Sequence, residues 1–196
     1  PIPVSVNVSR ADIYHKDLAD MLLGIVRRYR LQPSRLHLEI TESAYTENPE
    51  QVIETVGYLR ELGFVIEMDD FGSGYSSLNM GKMPVDILKL DMKFIQDEAA
   101  GPDDGGILHF IMELARWMDL SVVAEGVETR QQLERLKKAD CDYVQGYYFA
   151  RPMPINEFEE LLRNGYTAME QEGMGDENLR ESQPFPVLLV ADEDAC

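Results

Sequence analysis

The chain has 196 residues, of which 44% are hydrophobic and 28% charged, as in an ordinary globular protein with one main core. Its formal net charge of −18 argues against polymeric nucleic acid as a partner, because such a partner requires a basic surface. No apolar run reaches the roughly 18 residues of a membrane segment, and the two cysteines lack metal-ligand spacing. We therefore expect a cytoplasmic protein without a membrane segment in this chain.

Short apolar runs alternate with longer helix-like segments along the chain. In chain order, the sequence predicts strand 4–8, helix 17–29, strand 36–40, helix 49–62, strand 64–69, a short helix at 76–82, strand 87–91, helix 106–118, strand 121–125, helix 129–139, strand 143–145 and helix 156–164. Gly63 is placed to end a helix and Thr129 to cap the start of one. Strands that alternate with helices predict parallel pairing, either in a doubly wound sheet or in a barrel.

The alternation of side chains along each strand separates these two folds. Within 36–40, for example, Leu38 and Ile40 share one face, whereas His37 and Glu39 share the other. Every strand has such an apolar face, and a polar residue near its C-terminal end points the other way. In a barrel, the apolar faces pack on the surrounding helices and the polar ends gather at one rim. We therefore predict an α/β fold, a TIM-like (β/α)8 barrel of which about the last six βα units are present, with two units before Pro1.

The polar ends of the six strands form one predicted cluster. Its carboxylates would repel one another unless cations were bound, and one lysine cannot neutralise them all. Oxygen ligands suit hard cations such as Mg²⁺ or Mn²⁺, and two such ions can clamp the attacking and leaving oxygens of a phosphoryl displacement. The members of the cluster are Asn7, Glu39, Asp69, Asp70, Lys89, Asp91, Glu125 and Gln145.

Each of these residues also has a purely structural interpretation. Asn7 and Gln145 could be hydrogen-bonded structural residues, the residues from Asp70 to Gly74 could form only a turn, and Lys89 could form a simple ion pair with Asp91. For His37, we expect a satisfied core histidine. The joint pattern, rather than any one residue, favours a metal-dependent site.

Six sequence motifs resemble the ordered motif set of the EAL domain family, over about Pro3 to Tyr166. EAL domains are TIM-like barrels that hydrolyse cyclic di-GMP to linear pGpG with Mg²⁺ or Mn²⁺, so the resemblance implies this activity and two bound ions in a cytoplasmic bacterial protein. The motifs are Val6–Ser9, Leu38–Ser43, Asp69–Leu78, Leu88–Asp91, Ala124–Thr129 and Gln145–Pro152.

The resemblance also implies a role for each matching residue. The metal ligands would be Asn7, Glu39, Asp69, Asp70 and Glu125. Lys89 and Glu125 would be catalytic: Lys89 would orient the attacking water, and Glu125 would also serve as general base. Glu42 would anchor the loop 71–76, and Asp91, Glu128 and Gln145 would support the site. Phe149, Arg151 and Pro152 would bind the substrate beside a guanine.

The sequence departs from the family pattern on its N-terminal side. The Glu-Ala-Leu signature, with its metal-binding glutamate, lies on an earlier strand in the family and is not found in these residues. We therefore expect a longer parent protein with additional signalling domains, and we expect this chain alone to be weak or inactive. The alternative function is a non-catalytic receptor that binds cyclic di-GMP.

The sequence also predicts how the chain is organised. We assign 1–166 to the EAL domain, 167–184 to an acidic linker, and 185–196 to a segment that resembles the first strand of a response-regulator receiver domain. The family resemblance further implies a homodimer formed through the region 76–95.

Overall fold

A computed structural model describes residues 2–45, 48–71, 83–91 and 106–164. Its strands form one parallel sheet in the order β1-β2-β3-β4-β5-β6. The strands are β1 (Val4–Asn7), β2 (Leu36–Thr41), β3 (Val65–Phe71), β4 (Ile87–Leu90), β5 (Ser121–Ala124) and β6 (Tyr143–Val144). The α-helices are α1 (Arg10–Ile13), α2 (Leu18–Arg28), α3 (Pro49–Glu61), α4 (Ile107–Trp117), α5 (Arg130–Lys138) and α6 (Ile155–Asn164).

The strand order distinguishes the barrel from the doubly wound alternative. In a doubly wound sheet the order reverses at a switch point, whereas here each strand pairs in parallel with the strand that follows it in the chain. In the described residues, helices connect β1 to β2, β2 to β3, β4 to β5 and β5 to β6, which is the arrangement of a TIM-like barrel sheet. The predicted α/β barrel fold is therefore confirmed, as a partial barrel.

The apolar faces of the strands form the core, as their alternation predicts. Leu38, Ile66 and Leu88 from three neighbouring strands are completely buried, and they belong to one hydrophobic cluster with Val56 of α3 and Met112 of α4. Burial of apolar side chains of this size stabilises the fold by about 1.5–3 kcal/mol each. This packing fixes which face of each strand turns to the helices, and so leaves the polar face for the barrel interior.

Two predicted helix boundaries are confirmed by their local geometry. The Thr129 hydroxyl accepts a hydrogen bond from the Gln132 backbone N–H, and the Gln132 side chain accepts one from the Thr129 backbone N–H, which completes a capping box at the start of α5. Gly63 has a φ of +93° just after α3, a conformation that strongly favours glycine.

Helix α1 is an element that the sequence pattern did not predict. It is a single turn whose N-cap, Ser9, shares a capping box with Asp12. One turn is too short to produce a helical hydrophobic period, and the capping pair was its only sequence signal.

Several sequence predictions lie outside the described residues. These are the short helix at 76–82, most of the loop 71–76, the flanks of the region 76–95, the linker 167–184 and the segment 185–196. Among the helices in the described part of the chain, none is both long enough and apolar enough to cross a membrane.

Candidate metal-dependent active site

The C-terminal ends of the strands bring the predicted polar residues to one rim of the sheet. In the register between strands, Asn7 lies opposite Glu39, and Thr41 lies opposite Asp69. Glu125 follows directly after β5, and its backbone N–H donates to the Leu90 carbonyl across to β4. Because all six strands are parallel, these positions lie at the same edge, where TIM-barrel active sites are found.

A β-bulge in β3 places two adjacent carboxylates at this rim. The register with β4 passes from Met68 opposite Leu88 to Phe71 opposite Leu90, so that Asp69 and Asp70 together face the position of Lys89. Asp70 has a φ of +56°, in the left-handed region that aspartate tolerates better than most side chains. Its backbone N–H donates to Asp69 Oδ1 at 2.9 Å. The bulge places both residues side by side opposite Lys89, at the C-terminal end of β3.

Lys89 is the centre of the charge cluster. Its buried ammonium group donates a hydrogen bond to Glu39 Oε1, lies 2.7 Å from Glu125 Oε1, and lies 3.9 Å from Asp69 Oδ1. The side chains of Lys89 and Glu39 are only 4% and 5% exposed, whereas those of Asp69 and Glu125 are 21% and 26% exposed. Lys89 and Glu39 therefore form the buried floor of the cluster, and Asp69 and Glu125 form the side that is open to solvent.

The electrostatics of the cluster show an excess of negative charge. Burial raises the pKa of Glu39 and Glu125 above the ordinary carboxyl range, although Lys89 opposes this effect. Burial alone would lower the pKa of Lys89, but Glu125 and Glu39 outweigh it and raise that pKa above its ordinary value. One ammonium group thus compensates three carboxylates, and additional cations would relieve the remaining repulsion.

The donor chemistry of the rim fits hard divalent cations. Within the described residues, no three His, Cys, Asp or Glu side chains form a closed metal cage, because the acidic groups surround Lys89 instead. The buried Gln145 Oε1 nevertheless has no hydrogen-bond partner in the described part of the chain. Carboxylate and amide oxygens are the ligands that Mg²⁺ and Mn²⁺ prefer, and such ions commonly retain several water ligands.

The other predicted site residues occupy more varied positions. Glu42 is buried, with 1% exposure, at the start of the 3₁₀ helix Glu42–Tyr45. Asp91 is half-buried directly after β4. Glu128 is exposed before α5, where its backbone N–H donates to Gln132. The structure therefore gathers Glu39, Asp69, Lys89 and Glu125 by direct contact, while roles for Glu42, Asp91 and Glu128 stay predictions.

The predicted substrate-binding segment follows β6. Phe149 is buried in the hydrophobic cluster, and its ring meets that of Tyr148 edge-on with 5.2 Å between centroids. Arg151 and Pro152 are exposed. The contact of all three with substrate stays a prediction, and the exposed pair is the part of the segment that solvent and ligands can reach.

Sequence reasoning missed the buried partner of His37. His37 Nδ1 lies 2.6 Å from Glu67 Oε1, and Glu67 is completely buried, so the expectation of a satisfied core histidine is confirmed. Burial would raise the pKa of Glu67, but His37 and then Lys89 outweigh it and hold that pKa below its ordinary value. The signal for Glu67 was its place two residues before Asp69, on the same face of β3.

Comparison with known proteins places the whole arrangement in a family. The family description "EAL domain" matches residues 1–152 of the chain. The chain belongs to the EAL domain family. NbdA of Pseudomonas aeruginosa, named as a cyclic di-GMP phosphodiesterase, is 42% identical to this EAL domain over 161 residues. That alignment covers 82% of the chain and 21% of NbdA, so the chain spans about a fifth of that relative's length.

Solved EAL structures share the fold of this EAL domain. The PaMucR phosphodiesterase in complex with c-di-GMP has a TM-score of 0.73 and 38% identity, over 80% of this chain and 64% of that one. BlrP1 of Klebsiella pneumoniae, in a manganese and cy-diGMP complex, has a TM-score of 0.70 and 26% identity, over 76% of this chain and 38% of that one. The comparison thus confirms the TIM-like barrel of this EAL domain.

Proposed function

We propose that the intact protein that carries this EAL domain hydrolyses cyclic di-GMP to linear pGpG with two divalent ions, Mg²⁺ or Mn²⁺. The observation that carries the proposal is the rim cluster, in which the single ammonium of Lys89 lies among the carboxylates of Glu39, Asp69 and Glu125. Such a cluster at the C-terminal rim of a barrel suits an anionic phosphodiester only if cations bridge the two.

The relatives support the choice of substrate and metal. NbdA is named for cyclic di-GMP hydrolysis, PaMucR was solved with c-di-GMP, and BlrP1 was solved with cy-diGMP and manganese. In this chain, the residues Glu39, Asp69, Lys89 and Glu125, which belong to four of the motifs that resemble the EAL family, meet at the rim.

The ligand assignment is the one that the resemblance to EAL domains implies, and the common position of these carboxyl and amide groups at the rim supports it. We assign Asn7, Glu39 and Asp69 to one ion, and Asp69 and Asp70 to the other, with Glu125 as a further ligand and Gln145 as a support. When bound, the two ions would supply Lewis-acid stabilisation of the phosphoryl oxygens and neutralise the charge of the carboxylates.

The resemblance to EAL domains implies the proposed roles of Lys89 and Glu125, and their contact supports these roles. The carboxylates of Glu39 and Glu125 hold the Lys89 ammonium in one position. From there the ammonium can donate a hydrogen bond to the attacking water. Glu125 is the more exposed of those partners, and its raised pKa makes it a better proton acceptor. The water oxygen would bond to phosphorus as the bond from phosphorus to the 3′ oxygen breaks. One proton of the water would pass to Glu125, and the leaving 3′ oxygen would take up a proton from solvent to complete pGpG.

A chromatographic hydrolysis assay tests this function. We expect the intact protein to convert cyclic di-GMP to pGpG in the presence of Mn²⁺. Glu125→Gln keeps the size of the side chain but removes the base, so we expect a loss of about 10²-fold or more. An intact protein with an unaltered circular dichroism spectrum that binds cyclic di-GMP in Mn²⁺ without cleaving it would instead establish the receptor alternative. A protein that neither binds nor cleaves cyclic di-GMP would overturn both the enzyme and the receptor functions.

We also propose a cytoplasmic homodimer formed through the region 76–95. Residues Ile87–Leu90 of this region are buried in the sheet as β4, so the contact would come from the residues on either side. Light scattering at micromolar concentration tests the proposal, and a monomeric mass would contradict it.

A further inference from the structure

A second layer of polar side chains lies inside the barrel, below the rim. Glu67 is completely buried, and in the register between β2 and β3 it lies opposite Glu39. Because it precedes Asp69 by two residues, it is on the same face of β3, one layer further from the rim. Carboxylates on directly opposite residues repel each other, so each of the two acids needs a partner of its own.

The two opposite acids have different partners. Glu39 accepts a hydrogen bond from the Lys89 ammonium, whereas Glu67 Oε1 lies 2.6 Å from His37 Nδ1. An ionised carboxylate can only accept hydrogen bonds, so His37 Nδ1 carries the hydrogen in this contact. Among the described residues, the ion pairs of Lys89 do not include one with Glu67.

The Glu67 carboxylate nevertheless attracts the same lysine. Burial raises the pKa of Glu67, but His37 and then Lys89 bring it below the ordinary value. Its second oxygen, Oε2, is buried without a hydrogen-bond partner among the described residues. The nearby Ser5 hydroxyl also favours the charged form, but it is likewise buried without a hydrogen bond there. Movement of the lysine ammonium toward this lower layer would therefore turn the attraction into an ion pair.

We propose that His37 is a positioning residue that binds the Glu67 carboxylate and so keeps the Lys89 ammonium at the rim, an inference that rests on the proposed function. Lys89 can serve the attacking water only while its ammonium stays between Glu39 and Glu125. Without the donor on His37, the Glu67 carboxylate would be buried without its hydrogen bond, and Lys89 would be the remaining cation that acts on it. The histidine thus prevents an acid of the barrel interior from capturing the catalytic lysine.

A double-mutant cycle on the intact protein in Mn²⁺ tests this inference. We expect His37→Leu to lower kcat for cyclic di-GMP about 10²-fold with KM unchanged, because a displaced ammonium no longer orients the water. Glu67→Gln removes the competing charge but keeps the size of the side chain, and kcat should stay within about 3-fold of the wild type. Addition of Glu67→Gln to His37→Leu should restore kcat to that same level, since no competing carboxylate remains.

The position of the lysine can also be measured without catalysis. A crystal structure of the His37→Leu protein should show the Lys89 ammonium within about 4 Å of a Glu67 oxygen, the range of an ion pair. The contact of 2.7 Å between this ammonium and Glu125 should be lost. His37→Asn keeps an N–H donor at a similar point of the side chain, so its lysine position and kcat should resemble those of the wild type. Should His37→Leu not fold, His37→Ala takes its place in both measurements, because its cavity admits water beside the carboxylate.

A matched control separates positioning from a general loss of stability. Leu59 of α3 is completely buried in the hydrophobic cluster and is not part of the charge cluster. We expect Leu59→Ala to destabilise the protein, while kcat per folded molecule stays at the wild-type value. A loss of kcat in Leu59→Ala as large as that in His37→Leu would overturn the inference.

Three further outcomes would overturn the inference. Wild-type kcat in His37→Leu would show that the lysine needs no such protection, and a double variant as slow as His37→Leu would show that the loss does not pass through Glu67. A crystal structure of His37→Leu with Lys89 still at the rim would do the same. Failure of the proposed function is distinct, because the wild-type protein would then neither bind nor cleave cyclic di-GMP, while the crystal structure would still reveal where Lys89 lies.

Discussion

At the scale of single residues, the position of Asp70 requires both a side chain that tolerates a left-handed backbone and a negative charge. With its φ of +56°, a β-branched side chain at this position would be strained. Its place in the bulge next to Asp69 also puts a carboxyl-bearing residue at the rim. Aspartate and asparagine satisfy the first demand, but only aspartate satisfies the second. The two demands can therefore be separated by substitution.

Substitution of Asp70 should separate folding from catalysis. We expect Asp70→Asn to leave the free energy of unfolding within about 1 kcal/mol of the wild type, because asparagine tolerates the left-handed conformation. Hydrolysis should nevertheless fall about 10²-fold, since a charged metal partner is lost. Asp70→Val should lose activity and also about 1–2 kcal/mol of stability. Urea denaturation and the hydrolysis assay measure the two effects, and full activity in Asp70→Asn would contradict the assigned role.

Cys141 should make stability depend on alkaline pH. Burial raises the pKa of its thiol to about 11 from an ordinary value of 9.0, and the thiol donates to the Tyr143 carbonyl at 3.1 Å. A pKa that is raised in the folded state contributes stability that is present below pH 9 and is lost as the pH rises toward 11. The advantage of the wild type over Cys141→Ala should therefore shrink by about 1 kcal/mol between pH 8 and pH 10. Urea denaturation at both pH values checks this, and a constant difference would refute it.

At the scale of elements, helix α5 begins with a pair of side-chain caps on the exposed side of the barrel. The capping box of Thr129 and Gln132 satisfies backbone N–H groups that have no partner inside the helix. The spacing of this pair is local, so the sequence predicted the start of the helix correctly. The cap lies four residues after Glu125 but takes no part in the charge cluster.

Removal of this cap should affect stability without affecting catalysis. We expect Thr129→Ala to lower the free energy of unfolding by about 1 kcal/mol, because it leaves one backbone N–H unsatisfied. Thr129→Ser keeps an oxygen acceptor and should lose much less. Thermal unfolding followed by circular dichroism measures both variants, and kcat should equal that of the wild type. A large loss of kcat in Thr129→Ala would mean that the helix start also positions the preceding catalytic loop.

At the scale of the whole molecule, the net charge of −18 and the rim cluster both make the stability of the folded protein depend on cations. Any salt screens the repulsion among the negative charges of the whole chain, whereas we expect the rim cluster to bind divalent cations in particular. Ions that bind only the folded state stabilise it in proportion to the logarithm of their concentration. Stability measurements can therefore distinguish a specific site from general screening.

Divalent ions should stabilise the protein more than monovalent salt does. At about 100 times its dissociation constant, Mg²⁺ should raise the free energy of unfolding by about 2.7 kcal/mol, and EDTA should remove the gain. NaCl at equal ionic strength is the control for screening. Glu39→Gln should lose most of the part that is specific to Mg²⁺. Equal stabilisation by NaCl and MgCl₂ would contradict a divalent site, as would an undiminished gain in Glu39→Gln.

The sequence alone determined which residues point into the barrel, and the tertiary structure decided which of them meet. Side-chain alternation is a local property of a strand, so the apolar faces and the polar ends at Glu39, Asp69 and Glu125 could be read from the order of residues. Contacts depend on the register between strands that are distant in the chain, as with Lys89 and Glu39, which are 50 residues apart. The bulge at Asp69 and Asp70 and the burial of Glu67 against His37 depend on such packing. No local pattern encodes them, because each is fixed only when separate segments come together.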